Sequence, residues 1–181
     1  MLHCVTCKAR LGNLDTNTDA YRLRKPRLAV SASPAVPAKS FGKEQWLACH
    51  LLTAAESQSV RKLQVYCHPV SDAESHRRTM QVWLFATDLV ASSSVTETLE
   101  PLHVVKIMHK EPCKPMEVTP KLNAMTLSEG DLELPEEDFD VLFASLVESI
   151  KLLPPKAKKF QDWNVGLLRR FTDADFARQD G

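Results

Sequence analysis

The chain has 181 residues, 44% of them hydrophobic, and its 23 basic and 23 acidic side chains give zero formal net charge. This length favours one domain, residues 1–181, that buries a core without a disulfide scaffold. The charge balance argues against a general electrostatic grip on nucleic acid or an anionic membrane. We therefore expect a protein partner, with no membrane partner and no direct nucleic-acid partner.

Residues 1–12 are interpreted as a knuckle, because Cys4-x-x-Cys7 is followed by Gly12. A two-residue gap lets both thiolates face one zinc ion, which prefers four tetrahedral ligands. The chain has no second Cys-x-x-Cys, so we predict a zinc half-site with Cys4 and Cys7 as ligands. A reduced dithiol without metal is the alternative. Side chains that could complete the site are His3, Cys49, His50, Cys67, His68 and Cys113.

The cysteine usage also indicates a compartment. The N-terminus lacks a continuous apolar stretch of the kind a secretory signal needs, and five cysteines are an odd number. We expect a reducing environment, cytoplasmic and/or nuclear, where clustered thiols serve metal or redox chemistry. Cys67 shares a predicted strand face with apolar residues and is expected to be a buried, inert thiol, whereas Cys113 lies in a predicted loop.

The next elements in chain order are a strand, a loop and a helix. Tyr21–Arg24 alternates and predicts a short strand with basic residues on one side. Residues 31–40 contain two prolines and predict a loop. Lys43–Ser57 has helical periodicity, carried by Trp46, Leu47, His50, Leu51 and Ala54.

Three further strands are predicted, at Val60–Cys67, Met80–Ala91 and Leu102–His109. The first alternates like a half-buried strand, and the second is nearly continuously apolar, as expected of a central strand. Ser71–Arg78 and Glu111–Pro120 are predicted loops.

The segment from Leu132 to Leu153 contains the second predicted helix. Pro135 and three acidic residues open it, which suits the helix N-terminus. Its predicted apolar stripe consists of Phe139, Leu142, Phe143, Leu146, Val147 and Ile150.

The tandem Pro154-Pro155 ends this helix, since each proline lacks an N–H and clashes with the preceding turn. Trp163, Leu167 and Leu168 are residues of the buried type, so we expect the C-terminal segment to dock on the core. Residues 172–181 are polar and are predicted to be a frayed tail.

These elements predict an α+β fold with a mostly antiparallel sheet covered by two helices in a single domain, because strands joined by loops do not alternate with helices. The sheet is predicted from Tyr21–Arg24, Val60–Cys67, Met80–Ala91 and Leu102–His109.

Motifs of familiar enzymes are missing. The sequence has no glycine-rich phosphate loop, no Ser-His-Asp order and no H-E-x-x-H. The basic runs Lys156–Lys159 and Arg169-Arg170 are interpreted as solvated faces, because no exposed aromatic series interleaves them.

Several segments in order resemble the HECT-like ubiquitin-protein ligases that bind ubiquitin-conjugating enzymes (E2). These segments are Cys4-x-x-Cys7 with Leu11-Gly12, Tyr21-Arg-Leu-Arg-Lys25 leading to Leu28, Gln81-Val-Trp83-Leu-Phe-Ala-Thr-Asp88-Leu, Val104-Val-Lys106-Ile, Leu153-Pro154, and Phe160-x-x-Trp163-x-Val165-Gly166-Leu-Leu. Members of this family are about twice as long, so the chain resembles their C-terminal half.

The resemblance implies a ubiquitin-protein ligase module that recruits an E2 and promotes ubiquitin transfer to a protein substrate. No thioester cysteine can be assigned, so the catalytic residue is unknown and enzyme activity rests on the resemblance. Fungal members are linked to mRNA cleavage and polyadenylation. The alternative is therefore a non-catalytic interaction subunit of nuclear mRNA 3′-end processing, with processing factors as partners.

Overall fold

The computed structural model describes residues 1–29, 31, 38, 40–67, 78–94, 100–112 and 129–176. Within these residues the elements in chain order are β1 (Leu2–His3), β2 (Arg10–Asp15), β3 (Ala20–Leu23), α1 (Lys43–Ser57), β4 (Lys62–Cys67), β5 (Arg78–Ala91), β6 (Leu102–His109), β7 (Glu129–Glu133), α2 (Glu136–Ser149), β8 (Lys159–Phe160), β9 (Trp163–Arg169) and α3 (Asp173–Phe176). Short 3-10 helices follow β3 (Lys25–Arg27), follow α2 (Ile150–Leu152) and precede β8 (Pro155–Ala157).

A six-stranded sheet in the order β7-β4-β5-β6-β9-β8 forms the centre. All neighbouring strands are antiparallel except β4 and β7, which are parallel. One face of this sheet is covered by α1 and α2, and the main cluster of buried side chains lies between the sheet and these two helices. The predicted α+β fold with a mostly antiparallel sheet and two covering helices is confirmed.

Alternation decides which side chains enter the core. In β4, Leu63, Val65 and Cys67 are buried toward the helices, whereas the residues between them are partly exposed. Successive strand side chains point to opposite faces, so every second residue reaches the core. Each fully buried leucine or valine contributes about 1.5–3 kcal/mol through removal of apolar surface from water.

Helix α1 has the predicted bounds, Lys43–Ser57. The side chain of Gln45 accepts a hydrogen bond from the Gly42 N–H at 3.2 Å, which satisfies one donor at the helix start. The buried residues are Leu47, Ala48, Leu51 and Ala55, whereas His50 is exposed. The predicted stripe was therefore rotated by about one residue from the observed one.

Helix α2 begins after Pro135, as predicted, with Glu136, Glu137 and Asp138 in its first turn. Its buried side chains are Phe139, Leu142, Leu146 and Ser149. Val147, predicted in the stripe, is 45% exposed. The buried stripe is therefore narrower than the predicted one, and Ser149 rather than Val147 is the last side chain of α2 that is buried. Its hydroxyl donates to the Leu146 carbonyl and accepts the Leu167 N–H, both at 2.8 Å.

The C-terminal segment docks on the core, as predicted, but it does so as strand β9. Leu167 and Leu168 are buried, and the ring of Trp163 lies 6.1 Å from that of Trp83. Gly166 passes directly under Leu146 of α2. This strand was not predicted, because its pairing partner, β6, is about 60 residues away in the chain.

The predicted strand Tyr21–Arg24 does not join the central sheet. It overlaps β3, which pairs with β2 in a separate three-stranded sheet of order β1-β2-β3, the N-terminal sheet. The error arose because Arg10–Asp15 was not recognised as a strand, and a local hairpin partner is nearer in the chain than the central strands. Beyond β3, Arg24 pairs with Asp138 at 3.7 Å and Arg27 pairs with Glu137.

Other predicted segments lie partly or wholly outside the described residues. Among these are most of the loop 31–40 and nearly all of the loops Ser71–Arg78 and Glu111–Pro120. Of the predicted tail 172–181, Asp173–Phe176 forms a short helix, and Asp175 accepts hydrogen bonds from the Thr172 N–H and hydroxyl. The rest of that tail is outside the described residues.

Candidate functional site

The knuckle predicted at residues 1–12 contains the turn that joins β1 to β2. The Cys4 N–H donates to the Ala9 carbonyl at 2.8 Å, and the Lys8 N–H donates to the Cys4 carbonyl at 3.0 Å. Lys8 has a positive φ of 59°, which lets the turn close. Cys4 is half-buried and Cys7 is exposed.

The turn also favours the thiolate form of Cys4. Hydrogen bonds from the backbone of Cys7 and then Thr6 lower the pKa of the Cys4 thiol below its usual value. A thiolate is the form that binds a metal, so the local electrostatics suit a ligand. However, the described residues bring no group of three or more His, Cys, Asp or Glu side chains together. The described part of the chain therefore offers a zinc ion only the Cys4–Cys7 pair of the predicted half-site, whereas zinc prefers four ligands.

The remaining thiols are dispersed. Cys67 is fully buried at the end of β4, and this desolvation raises the pKa of its thiol, as expected of an inert cysteine. Cys49 lies partly buried on α1. His68 and Cys113 lie outside the described residues. The thiols of Cys4, Cys7 and Cys67 therefore differ in accessibility, and the pKa of Cys4 is lowered whereas that of Cys67 is raised.

The N-terminal sheet exposes an apolar face. Leu14 is directly opposite Tyr21, and Gly12 is opposite both Leu23 and Leu2. Residues paired across two strands point to the same side of a sheet, and so does every second residue of one strand. The side chains of Leu2, Leu14, Tyr21 and Leu23 therefore lie on one face, around Gly12. Leu14 is 44%, Tyr21 65% and Leu23 51% exposed. We call Leu2, Leu14, Tyr21 and Leu23 the N-terminal apolar face.

Gly12 shapes this face. An added Cβ would lie 2.2 Å from the Arg22 carbonyl oxygen, so only glycine allows β2 and β3 to approach this closely. A groove of about 370 Å³ continues from Leu23 towards the helices, and Trp46 and His50 of α1 line its far side. The Lys25 Nζ lies 5.5 Å from the centre of the Trp46 ring. The apolar face and this groove form one surface that a partner protein can cover.

A second surface lies on the face of the central sheet opposite the helices. Trp83 contacts Phe85 and Trp163 with ring centroids 5.7 Å and 6.1 Å apart. Lysine ammonium groups lie over these rings: Lys62 over Trp83 at 5.2 Å, Lys106 over Phe85 at 5.1 Å and Lys110 over Trp163 at 4.9 Å. We call these six residues the sheet-face cluster.

Sequence reasoning missed both surfaces. Trp83 and Phe85 belong to an apolar run that was interpreted as a central strand, and their i, i+2 spacing was the signal that both share a face. The lysines come from three other positions on β4, β6 and the residue after β6. Strand pairing alone brings them beside the rings.

The exposed apolar and aromatic surfaces of this α+β fold are typical of a protein-binding module. No helix in the described part of the chain combines the length and apolar character needed to cross a membrane. The chain belongs to the HECT-like ubiquitin-conjugating enzyme (E2)-binding family, whose model matches residues 1–165. The match includes the N-terminal sheet, both long helices and the central sheet as far as Val165.

The chain is similar to an uncharacterized protein of Schizosaccharomyces pombe, with 25% identity over 178 residues. That alignment covers 94% of this chain and 48% of the relative, so the chain spans about half of the relative's length. No solved structure matches the chain significantly.

Proposed function

We propose that this chain is a ubiquitin-ligase module that recruits a ubiquitin-conjugating enzyme and promotes ubiquitin transfer to a protein substrate. The N-terminal apolar face is the observation that carries the proposal, because it is exposed and lies within the family match of residues 1–165. In this proposal the E2 carries ubiquitin as a thioester, and a substrate amine attacks that carbonyl and releases the E2 thiol. The module contributes proximity, which raises the effective concentration of the reacting groups.

The proposal requires no nucleophile from this chain. Cys67 is buried and its thiol has a raised pKa, which opposes formation of a reactive thiolate. Cys4 has the opposite electrostatics, but its thiolate is held by hydrogen bonds from the backbone of Cys7 and Thr6. Direct transfer from the E2 to the substrate is therefore favoured over a ubiquitin thioester on this chain.

The first experiment is a pull-down of the chain with a panel of conjugating enzymes, using the variants Tyr21→Ala and Leu23→Ala. Truncation of an interface anchor commonly weakens binding by about 1–2 kcal/mol or more, which is roughly tenfold. Val90→Ala is the matched control, since Val90 is a 55% exposed apolar residue on β5. Binding to no conjugating enzyme would refute the proposal. Unchanged binding by both variants would refute this docking surface.

A second experiment tests the chemistry. Ubiquitin transfer that survives replacement of all five cysteines supports the proximity mechanism. A thiol-sensitive ubiquitin adduct on Cys49, Cys67 or Cys113 in a non-reducing gel would instead establish a covalent route. Absence of both E2 binding and transfer leaves the non-catalytic subunit of nuclear mRNA 3′-end processing as the function to test.

A further inference from the structure

We propose that the sheet-face cluster binds single-stranded nucleic acid, with bases stacked on the aromatic rings and phosphates held by lysines. This surface is separate from the N-terminal apolar face and does not depend on E2 binding. The basic runs of the sequence lacked interleaved aromatic residues. The folded sheet supplies that interleaving from side chains that are distant in the chain.

The rings form a platform of edge-to-face neighbours, with interplanar angles of 74° between Trp83 and Phe85 and 71° between Trp83 and Trp163. Phe85 and Trp83 lie two residues apart on β5, and Trp163 on β9 meets Trp83 across β6. Phe85 is 46% exposed, while the two tryptophans are partly exposed. Phe160 is opposite Trp163 in the β8–β9 pair and extends the platform to the sheet edge. Every base has a π-face, so adjacent aromatic rings on a sheet can stack consecutive bases without sequence preference.

Positive charge is placed at the same rings. The ammonium groups of Lys62, Lys106 and Lys110 each lie about 5 Å from a ring centre. The run Lys156–Lys159 leads into β8 at the edge beside Phe160, and Arg169 is exposed at the end of β9. A local patch of this kind attracts phosphate although the whole chain has zero net charge.

Acidic side chains indicate which strands of the sheet face the bound nucleic acid would follow. Glu129, Asp131 and Glu133 of β7 are exposed, and their register places them on the same face as Lys62. Asp162 pairs with Lys110 at 2.6 Å. A polyanion is therefore repelled from the β7 edge and is favoured along β5, β6, β9 and β8. An acidic peptide would use the lysines but would leave the rings without stacking partners, so nucleic acid is the better fit.

The test is binding of a fluorescently labelled oligonucleotide of about twelve nucleotides, a length within typical single-strand site sizes. Oligouridine and oligothymidine are compared at about 50 and 200 mM salt by anisotropy. Quenching of tryptophan fluorescence is followed in a Trp46→Phe background, because Trp46 lies in a different aromatic cluster with Phe41 and Phe171. Quenching then reports on Trp83 and Trp163.

The variants separate stacking from charge. Phe85→Ala is expected to weaken binding about tenfold or more, since one stacked base is lost. Lys106→Gln is expected to reduce the slope of log affinity against log salt by about 0.7, and Lys106→Arg is expected to restore it. Phe176→Ala and Lys151→Gln are matched controls, because Phe176 packs with Phe41 and Lys151 pairs with Glu148. Circular dichroism confirms the fold of each variant.

Quenching by either oligonucleotide, with loss of affinity in Phe85→Ala and the expected salt slope in Lys106→Gln, supports the proposal. Absence of binding at low salt by folded protein would overturn it. Equal affinity of Phe85→Ala, Lys106→Gln and the controls would also overturn it. Binding of an oligoglutamate peptide but not of nucleic acid would identify the cluster as a protein-docking face. Testing the same variants in the E2 pull-down shows whether each substitution weakens only oligonucleotide binding or also weakens E2 binding.

Discussion

Replacing Gly166 by alanine places a methyl group between the central sheet and α2. The ideal Cβ would lie 2.8 Å from Leu146 Cδ2, 3.0 Å from the Leu146 carbonyl oxygen and 3.2 Å from its Cα. Carbon atoms in ordinary contact are about 3.5–4.0 Å apart. The side-chain carbon of Leu146 can rotate away, but the two backbone atoms move only if the helix moves, by roughly 0.5 Å.

The size of the effect follows from two opposing contributions. No described glycine has a positive φ, so Gly166 is required for space and not for a special backbone conformation. Alanine at a compatible position stabilises a protein by about 0.4–1 kcal/mol through the unfolded chain. Overpacking a core costs about 1–3 kcal/mol. We expect Gly166→Ala to lower the free energy of unfolding by about 1–2 kcal/mol, and Tm by about 2–8 °C.

The assay is thermal unfolding followed by circular dichroism, with urea unfolding at 25 °C. Gly42→Ala is the control, because a Cβ there meets only Gln45 Oε1 at 3.5 Å, and the expected change is within about 0.5 kcal/mol. In a Leu146→Ala background the penalty of Gly166→Ala should fall without vanishing, since the backbone contacts persist. A coupling of about 0.5 kcal/mol or more is expected. An unchanged or raised Tm in Gly166→Ala would refute the reasoning.

Three further predictions concern titratable groups and thiols. His109 is fully buried against Phe143, neither ring nitrogen makes a hydrogen bond of normal geometry, and burial lowers the pKa of its imidazole. A lowered His pKa means that stability is complete above about pH 6.5 and falls at lower pH, where the unfolded chain binds the proton more readily. The urea midpoint should therefore drop from pH 7.5 to 5.5, and His109→Leu should reduce that drop; an equal drop in both proteins would contradict this. With a thiol reagent, Cys7 and Cys4 should react in the fast phase and Cys67 only on unfolding, and rapid labelling of Cys67 in folded protein would count against its burial. Any zinc taken up by the Cys4–Cys7 pair should be lost to a chelator and be absent from Cys7→Ser, as measured by metal analysis, whereas retention in Cys7→Ser would remove this pair from the site.

Local signals were enough to predict the covering helices and the longest strands. Lys43–Ser57 and Leu102–His109 have the predicted bounds, because periodicity and flanking breakers act over a few residues. Strand β7 was missed because its sequence, Glu-Gly-Asp-Leu-Glu, buries few side chains and gains its conformation from pairing with β4. Strand β9 buries Val165, Leu167 and Leu168, and its residues were expected to dock, but its strand conformation comes from pairing with β6, about 60 residues earlier in the chain.

The candidate surfaces were harder to predict than the elements. Tyr21 was assigned to a strand, but Leu14 was not, so the apolar face that they share could not be recognised. Trp83 and Trp163 were both interpreted as packing residues, and they do contact each other. Their common exposure beside Lys110 follows from the register of β5, β6 and β9, which sequence alone does not give.

The two surfaces are set apart by the way the N-terminal sheet is attached. Arg24 and Arg27 bind the acidic first turn of α2, and Lys25 lies over Trp46 of α1, so the N-terminal sheet is fixed on the helical side of the molecule. The sheet-face cluster lies on the opposite side of the central sheet. A conjugating enzyme on the apolar face would therefore leave the cluster open to a second ligand. If Tyr21→Ala abolishes E2 binding and keeps oligonucleotide binding, while Phe85→Ala does the reverse, the module joins two partners through independent faces. Loss of both activities in either folded variant would mean that the faces are coupled through the core.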